Sequence, residues 1–169
     1  MDISSVIVAC DPGLDGAFAI MIDGQLREIE DMPTMSRQVS GKERRYVAPD
    51  VVDGLLRTML RSYVGPADSL LFVLEKVGAR PKEGAVGAFS FGKGVGHVEG
   101  IIIGMALPRA EVDPATWKRQ LKLNKGKDAN RQRAMEMFPD MRDQFSRVKD
   151  DGRADAALIA LWAQKFYLR

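Results

Sequence analysis

Cysteine and histidine are almost absent from this sequence of 169 residues, since each occurs once, as Cys10 and His97. A single cysteine forms no disulfide within the chain and cannot build a zinc site from several thiolates. One histidine likewise excludes a metal centre or a catalytic mechanism that needs several imidazoles. Any metal site in this chain is therefore expected to use the oxygen ligands of Asp and Glu.

Long hydrophobic runs are also missing. The apolar segment that starts at Ile101 contains Gly104 and stops at Pro108, far short of the roughly 18–20 residues that cross a membrane. The first residues include Asp2 and no lysine or arginine, so they lack the basic start of a signal peptide. The sequence predicts a cytoplasmic protein without a membrane partner.

The net charge is small, but the basic residues are unevenly distributed. A formal charge of +2, with 46% hydrophobic and 28% charged residues, is typical of a globular chain. Residues 109–133 contain eight basic and three acidic residues, and residues 36–45 contain four basic and one acidic. At about 100–200 residues per domain, we expect residues 1–169 to form a single domain.

Short apolar runs predict an α/β fold. Strands at 6–10, 17–22 and 26–32, separated by Pro12-Gly13 and Asp23-Gly24, have the pattern of an antiparallel meander. Further strands are predicted at 70–74 and 110–112, with helices from 49, at 85–106, from 114 and at 153–162. Residues 33–48 lack periodicity and are predicted to form a loop. The elements together predict a mixed sheet of five strands flanked by helices.

Four glycines recur at every fourth position of the predicted helix 85–106. They are Gly92, Gly96, Gly100 and Gly104. This spacing lines one helix face with residues that have no side chain, so something is expected to pack closely there. Two interpretations are open: the helix crosses the sheet of its own domain, or it contacts the same helix in a second copy of the chain.

Two strands that are apolar on both faces each end in an acid, Asp11 and Glu75. If these strands are parallel neighbours, the two carboxylates meet at one edge of the sheet and their like charges need a compensating cation. Asp151 and Asp155 lie four residues apart, which places them on one helix face if the helix already includes Asp151. Such hard oxygen ligands suit Mg²⁺ or Mn²⁺.

Paired ions of this kind activate water and stabilise the leaving oxygen in phosphodiester hydrolysis. Each acid also has a structural interpretation, because Asp11 could shape the turn at Pro12-Gly13 and residues 150–152 could cap a helix. The four acids taken together favour a metal site.

Four segments resemble, in order and spacing, the RuvC-type Holliday junction resolvases, particularly the short versions found in phages and prophages. The segments are IVACDPGLDG at 7–16, LEKV at 74–77, FGKGVG at 91–96 and RADAALIA at 153–160. The resemblance spans residues 6–163. It implies an RNase H-like fold, a homodimer, and Mg²⁺-dependent nicking of a four-way DNA junction on two symmetry-related strands, in a bacterial or phage-infected cell.

The resemblance also implies which acids bind metal. The positions that match are Asp11, Glu75 and Asp155. The family often has an acid or a histidine three residues before the last of these, where this chain has Gly152. Asp151 is therefore our prediction for the fourth ligand, with Asp150 as the alternative.

Lys118 matches the family's lysine that contacts the scissile phosphate, although it could also be a solvated helix lysine. Some members use an aromatic residue three positions after the strand-ending Glu to unstack bases, and this chain has Gly78 there. Phe89 or Phe91 is the candidate substitute, but phenylalanine on a helix more often belongs to the core.

The two basic segments flank the predicted acidic site and predict a groove that binds the phosphates of branched DNA. The residues predicted to contact DNA are Arg44, Arg45, Arg80, Lys82, Lys93, Lys118, Lys122 and Lys125. No small-molecule cofactor is predicted. Two other functions are open: a ribonuclease of the same fold that acts on RNA–DNA hybrids or structured RNA, and a branched-DNA-binding module with weak nuclease activity.

Overall fold

A mixed sheet forms the centre of the molecule. The computed structural model describes residues 4–66, 68–78, 84–123, 126 and 128–168. The strands among them are β1 Ser5–Asp11, β2 Ala17–Ile22, β3 Gln25–Asp31, β4 Thr34–Val39, β5 Lys42–Val47, β6 Ser69–Glu75 and β7 Arg109–Val112. Five of these strands form the sheet in the order β3-β2-β1-β6-β7, with β1–β2 and β2–β3 antiparallel and β1–β6 and β6–β7 parallel. The predicted meander and five-stranded mixed sheet are confirmed.

The central strand β1 is buried on both faces because helices cover both sides of the sheet. Successive side chains of a strand point to opposite faces. Ile7 and Ala9 pack against the C-terminal helix, in a cluster that includes Leu158. Val6 and Val8 pack on the other side, in a cluster that includes Leu56. This double covering explains why the strand lacks the polar alternation of a surface strand.

The helices connect and cover the strands. They are α1 Pro49–Tyr63, α2 Ala85–Gly104, α3 Pro114–Gln120, α4 Ala129–Met137 and α5 Asp151–Trp162, with 3₁₀ turns at Pro139–Phe145 and Val148–Asp150 and a π turn at Ala163–Tyr167. Helix α5 begins two residues before the predicted start, so it includes Asp151. In the described part of the chain, no helix is long and apolar enough to span a membrane.

The prediction that residues 33–48 form a loop is wrong, because β4 and β5 pair there as an antiparallel hairpin. The turn is made by Ser40 and Gly41, which both have positive φ angles, of 51° and 75°. This combination favours a tight hairpin. Most side chains of these two strands are exposed and polar, so the sequence has no apolar alternation that would predict them.

Helix α2 turns its four-glycine face away from its own sheet. Gly94, Val98 and Ile102 are the residues of this helix that are buried. A Cβ atom at Gly92, Gly96, Gly100 or Gly104 would meet nothing within 4 Å among the described residues. The interpretation that this face packs closely against the chain's own sheet is therefore wrong, and the face is open.

Candidate active site

Asp11 and Glu75 stand side by side at one edge of the sheet. Strands β1 and β6 are parallel neighbours, and Cys10 pairs with Leu74 in their register. The next residue of each strand is the acid, so both carboxylates emerge at the carboxyl ends of adjacent strands. The predicted juxtaposition of the two acids is confirmed.

Asp155 supplies a third carboxylate from helix α5, which packs against β1 and β2. Burial, with the nearby charges of Glu75 and Asp155, raises the pKa of Asp11 from 3.8 to about 7. Burial is also the main cause that raises the pKa of Asp155 to about 6, although Lys118 and Asn130 act in the opposite direction. Three carboxylates from distant segments therefore interact in one partly buried place.

Neighbouring side chains hold these carboxylates in position. Trp117 Nε1 donates a hydrogen bond of 2.9 Å to Glu75 Oε1. Asn130 Nδ2 donates one of 2.7 Å to Asp155 Oδ1. Lys118 Nζ lies 3.8 Å from Asp155 Oδ2, so the predicted phosphate-contacting lysine is at the site. The sequence did not predict that Trp117 and Asn130 would donate these hydrogen bonds. The only available signal was the position of Trp117 next to Lys118.

The two candidates for a fourth ligand have different surroundings. Asp151 lies one turn before Asp155 on α5, where it is exposed and its carboxylate is 2.8 Å from Arg131 Nε. Asp150 is fully buried, and its two oxygens accept hydrogen bonds from the backbone N–H and the guanidinium of Arg147. Both oxygens of Asp150 are therefore used in hydrogen bonds that stabilise the 3₁₀ turn. Asp151 remains the prediction for the fourth ligand.

The space around position 152 leaves no room for a side chain. A Cβ atom there would lie 2.1 Å from the carbonyl oxygen of Asp15 and 2.7 Å from the Cα of Gly16. Gly16 is equally confined, since its Cβ would lie 2.0 Å from the carbonyl oxygen of Asp11. The start of α5 therefore packs backbone to backbone against the β1–β2 turn, which explains why this chain has no ligand at position 152.

The donor set of the site fits a hard divalent cation. Among the described residues, no three Asp, Glu, His or Cys side chains already form a group that could hold a metal ion. Burial first, and then the neighbouring carboxylates Glu75 and Asp155, raise the pKa of Asp11, so its charged form is disfavoured without a compensating positive charge. A divalent cation with carboxylate ligands would supply that charge.

Besides Lys118 at the site, the seven other residues predicted to contact DNA fall into three groups. Arg44, Lys93 and Lys122 are exposed, on β5, on α2 and directly after α3. Arg45 instead forms an ion pair of 2.7 Å with Asp15. The remaining predicted contacts lie outside the described residues: Arg80, Lys82 and Lys125.

The raised pKa of Asp11 predicts how stability depends on pH in EDTA. Its carboxyl has a pKa of about 7 in the folded chain against 3.8 ordinarily, so between these values the folded state binds more protons than the unfolded state. The free energy of unfolding should therefore fall as the pH rises from about 4 to about 7, by on the order of a few kcal/mol. Urea unfolding at several pH values measures this slope. The Asp11→Asn variant should show a shallower decline, and an identical slope in both proteins would contradict the assignment.

Comparisons with known proteins agree with this geometry. No family model matches the chain. The chain is 35% identical over 85 residues, 49% of its length, to the chloroplastic Holliday junction resolvase MOC1 of Chlamydomonas reinhardtii, and it covers 10% of that protein. It is similar in fold to RuvC of T. thermophilus in complex with a Holliday junction substrate, with a TM-score of 0.62 and 19% identity over 98% of this chain and 95% of that one.

A second structure, of Thermus thermophilus RuvC, matches with a TM-score of 0.54 and 14% identity over 93% of this chain and 92% of that one. The chain thus has the RNase H-like fold of RuvC, and its resemblance to the RuvC-type Holliday junction resolvases is confirmed.

Proposed function

We propose that this chain is a metal-dependent endonuclease that cleaves four-way DNA junctions by paired nicks. The observation that carries the proposal is the meeting of Asp11 and Glu75, at the ends of two neighbouring strands, with Asp155 of α5. The similarity in fold to RuvC and the sequence match to a Holliday junction resolvase support DNA junctions as the substrate class.

Asp11, Glu75 and Asp155 are the residues that would hold Mg²⁺, or Mn²⁺ in its place, and Asp151 would join them if it left Arg131. A bound divalent cation supplies activation of water and neutralisation of charge at the phosphate. The chain itself orients the ligands, through the hydrogen bonds from Trp117 and Asn130. Lys118, an ammonium beside Asp155, is placed to offset the charge that develops on a phosphate oxygen.

The exposed basic hairpin β4–β5 would bind the DNA backbone. Directly paired residues share a face of a two-stranded ribbon. Arg37 pairs with Arg44, and Lys42 with Val39, so three cations lie on one face. Arg37 also stacks over the ring of Tyr46, 5.2 Å from its centroid. A ribbon that carries several cations on one face suits contact with phosphates.

Two symmetric nicks require two active sites, and the open face of α2 would join two copies of the chain. Besides its glycines, helix α2 exposes large apolar side chains, which are Val86, Phe89 and Ile103. The prediction that a helix phenylalanine is buried is thus wrong for Phe89, which is 75% exposed. A face without side chains lets two helices approach closely about a twofold axis, and their apolar residues would cover each other.

The dimer proposal predicts the effect of a bulky charge on this face. Gly96→Arg should convert a dimer into a monomer, because the long side chain would hold the two helices apart. Gly54→Arg is the matched control, since Gly54 is an equally open helix position on α1 and should leave the mass unchanged. Light scattering with size-exclusion chromatography measures both masses. A wild-type protein that is monomeric with and without junction DNA would exclude the paired-nick mechanism.

The proposed function is tested with four labelled substrates: an immobile four-way junction, a linear duplex of matched sequence, an RNA–DNA hybrid and a structured RNA. Each is incubated with the purified protein in Mg²⁺, Mn²⁺ or EDTA. Paired nicks confined to the junction and dependent on metal are the expected result. Cleavage of the hybrid or the structured RNA would identify a ribonuclease instead, and tight junction binding without any cut would identify a binding module.

A further inference from the structure

The hairpin β4–β5 presents two faces with different partners. Ser36 pairs with Arg45, and Arg37 with Arg44, so the neighbouring residues Arg44 and Arg45 point to opposite faces of the ribbon. Arg44 shares its face with Arg37 and Lys42 and is exposed. Arg45 lies on the opposite face, with Thr34 and Ser36, and makes contacts within the protein.

The guanidinium of Arg45 joins the hairpin to the β1–β2 turn. Its Nη1 donates a hydrogen bond of 2.7 Å to Asp15 Oδ1, and its Nη2 donates one of 2.7 Å to the carbonyl oxygen of Leu14. Nη2 also lies 3.4 Å from Thr34 Oγ1, at the start of β4. One side chain thus engages both the backbone and the carboxylate of the turn.

The β1–β2 turn touches the backbone on both sides of the proposed site: it continues the strand that ends in Asp11, and it packs against the helix that carries Asp155. It begins directly after Asp11, and the backbone N–H of Gly13 lies 3.4 Å from Asp11 Oδ1. The carbonyl of Asp15 abuts Gly152, at the start of the helix that carries Asp155. A shift of residues 14–15 would therefore reach Asp11 through the chain and Asp155 through the backbone contact.

We propose that Arg45 is a positioning residue that fixes the β1–β2 turn and thereby aligns Asp11 with Asp155, rather than a DNA contact. The proposal rests on the proposed function. In this arrangement the hairpin has two tasks: one face holds the phosphates, and the other holds the turn beside the active site. Engagement of the hairpin by DNA is then linked mechanically to the geometry of the carboxylates.

The experiment compares Arg45→Gln with Arg44→Gln in steady-state cleavage of a four-way junction in Mg²⁺. Arg45→Gln should lower kcat by roughly tenfold, with KM within about twofold of the wild-type value, because a small misplacement of reacting groups slows chemistry without weakening binding. Arg44→Gln should raise KM and reduce the slope of log affinity against log salt by about 1. Arg57→Gln is the control, since it breaks a comparably exposed ion pair that lies within α1 instead of at the β1–β2 turn, and it should change neither constant.

Reversal of the ion pair gives a second readout. Asp15→Asn should reproduce part of the loss in kcat, and the double variant Arg45→Asp with Asp15→Arg should recover part of it. Recovery is not expected if Arg45 meets a phosphate, because the reversed pair would place an acid on the DNA. A rise in KM and a lower salt slope for Arg45→Gln, as for Arg44→Gln, would overturn the proposal.

A third measurement separates this proposal from the proposed function. Amide hydrogen exchange of the protein alone should be faster at residues 13–16 and 151–155 in Arg45→Gln than in the wild type or in Arg57→Gln. Unchanged exchange at both segments would overturn the positioning role whatever the activity. If the wild type cleaves no junction, the proposed function is wrong, and the exchange rates still decide whether Arg45 holds the turn.

Discussion

Replacing Asp11 with Asn should abolish metal-dependent junction cleavage, with a loss of about 10³-fold or more in rate. The substitution keeps the size of the side chain but removes one negative charge from the cluster that would bind the cation. Binding of the junction should be retained or become tighter, because a carboxylate that repels phosphate is gone. Gel-shift titration in EDTA and single-turnover cleavage in Mg²⁺ measure the two effects separately.

The Asp11→Asn variant should also fold at least as well as the wild type at pH 8. Asp11 carries an unfavourable buried charge there in the absence of metal, and Asn removes it. Asp53→Asn on α1 is a suitable control because Asp53 forms an exposed pair with Arg57 within α1, a helix that carries none of these carboxylates. An inactive variant that had lost its fold or its affinity for the junction would count against a catalytic role for Asp11.

Replacing Gly152 with Ala should destabilise the fold by about 2–3 kcal/mol, and lower the melting temperature by roughly 5–10 °C. The added methyl group would lie 2.1 Å from the Asp15 carbonyl oxygen, so either α5 or the β1–β2 turn must move. Helix α5 carries Asp155 and the turn directly follows Asp11, and a displacement of about 1 Å can cost roughly 100-fold in rate. Thermal unfolding and cleavage should therefore both reveal the substitution.

Gly54→Ala separates this steric effect from the general effect of a glycine-to-alanine change in a helix. A Cβ at Gly54 meets nothing within 4 Å among the described residues, so this variant should be unchanged or more stable by up to about 1 kcal/mol. If Gly152→Ala were as stable as Gly54→Ala, the close backbone contact between α5 and the turn would be refuted.

The parts of the fold that could be predicted from the sequence are those whose residues have a strong local pattern. Strands β1 and β6 are apolar on both faces and end in acids, so their burial followed from the sequence pattern. The meeting of Asp11 with Glu75 was predicted only on the condition that the two strands are parallel neighbours, which the structure shows. The match of Asp155 to the third acid came from the resemblance to a known family. The sequence alone did not predict that Asp155 would lie beside the two strands, because that position depends on how α5 packs against the sheet.

The parts that could not be predicted depend on partners distant in the sequence. Nothing near Asn130 indicates that its amide will reach Asp155, and nothing near Arg45 indicates that it will pair with Asp15. The hairpin was missed because exposed polar strands have no apolar pattern. The direction of the four-glycine face could not be determined either, since glycine spacing is the same for a buried and an open face.

The dependence of the site on α5 also determines when, during synthesis of the chain, the carboxylate cluster can form. Asp11 and Glu75 lie on strands made early in synthesis, whereas Asp155 lies on a helix near the C-terminal end of the sequence. Asp155 joins the other two carboxylates only when α5 packs against β1 and β2. A chain still emerging from the ribosome therefore has only part of its carboxylate cluster. The three carboxylates meet only after α5 has been synthesised, so a chain cut short before Asp155 could not assemble the proposed site.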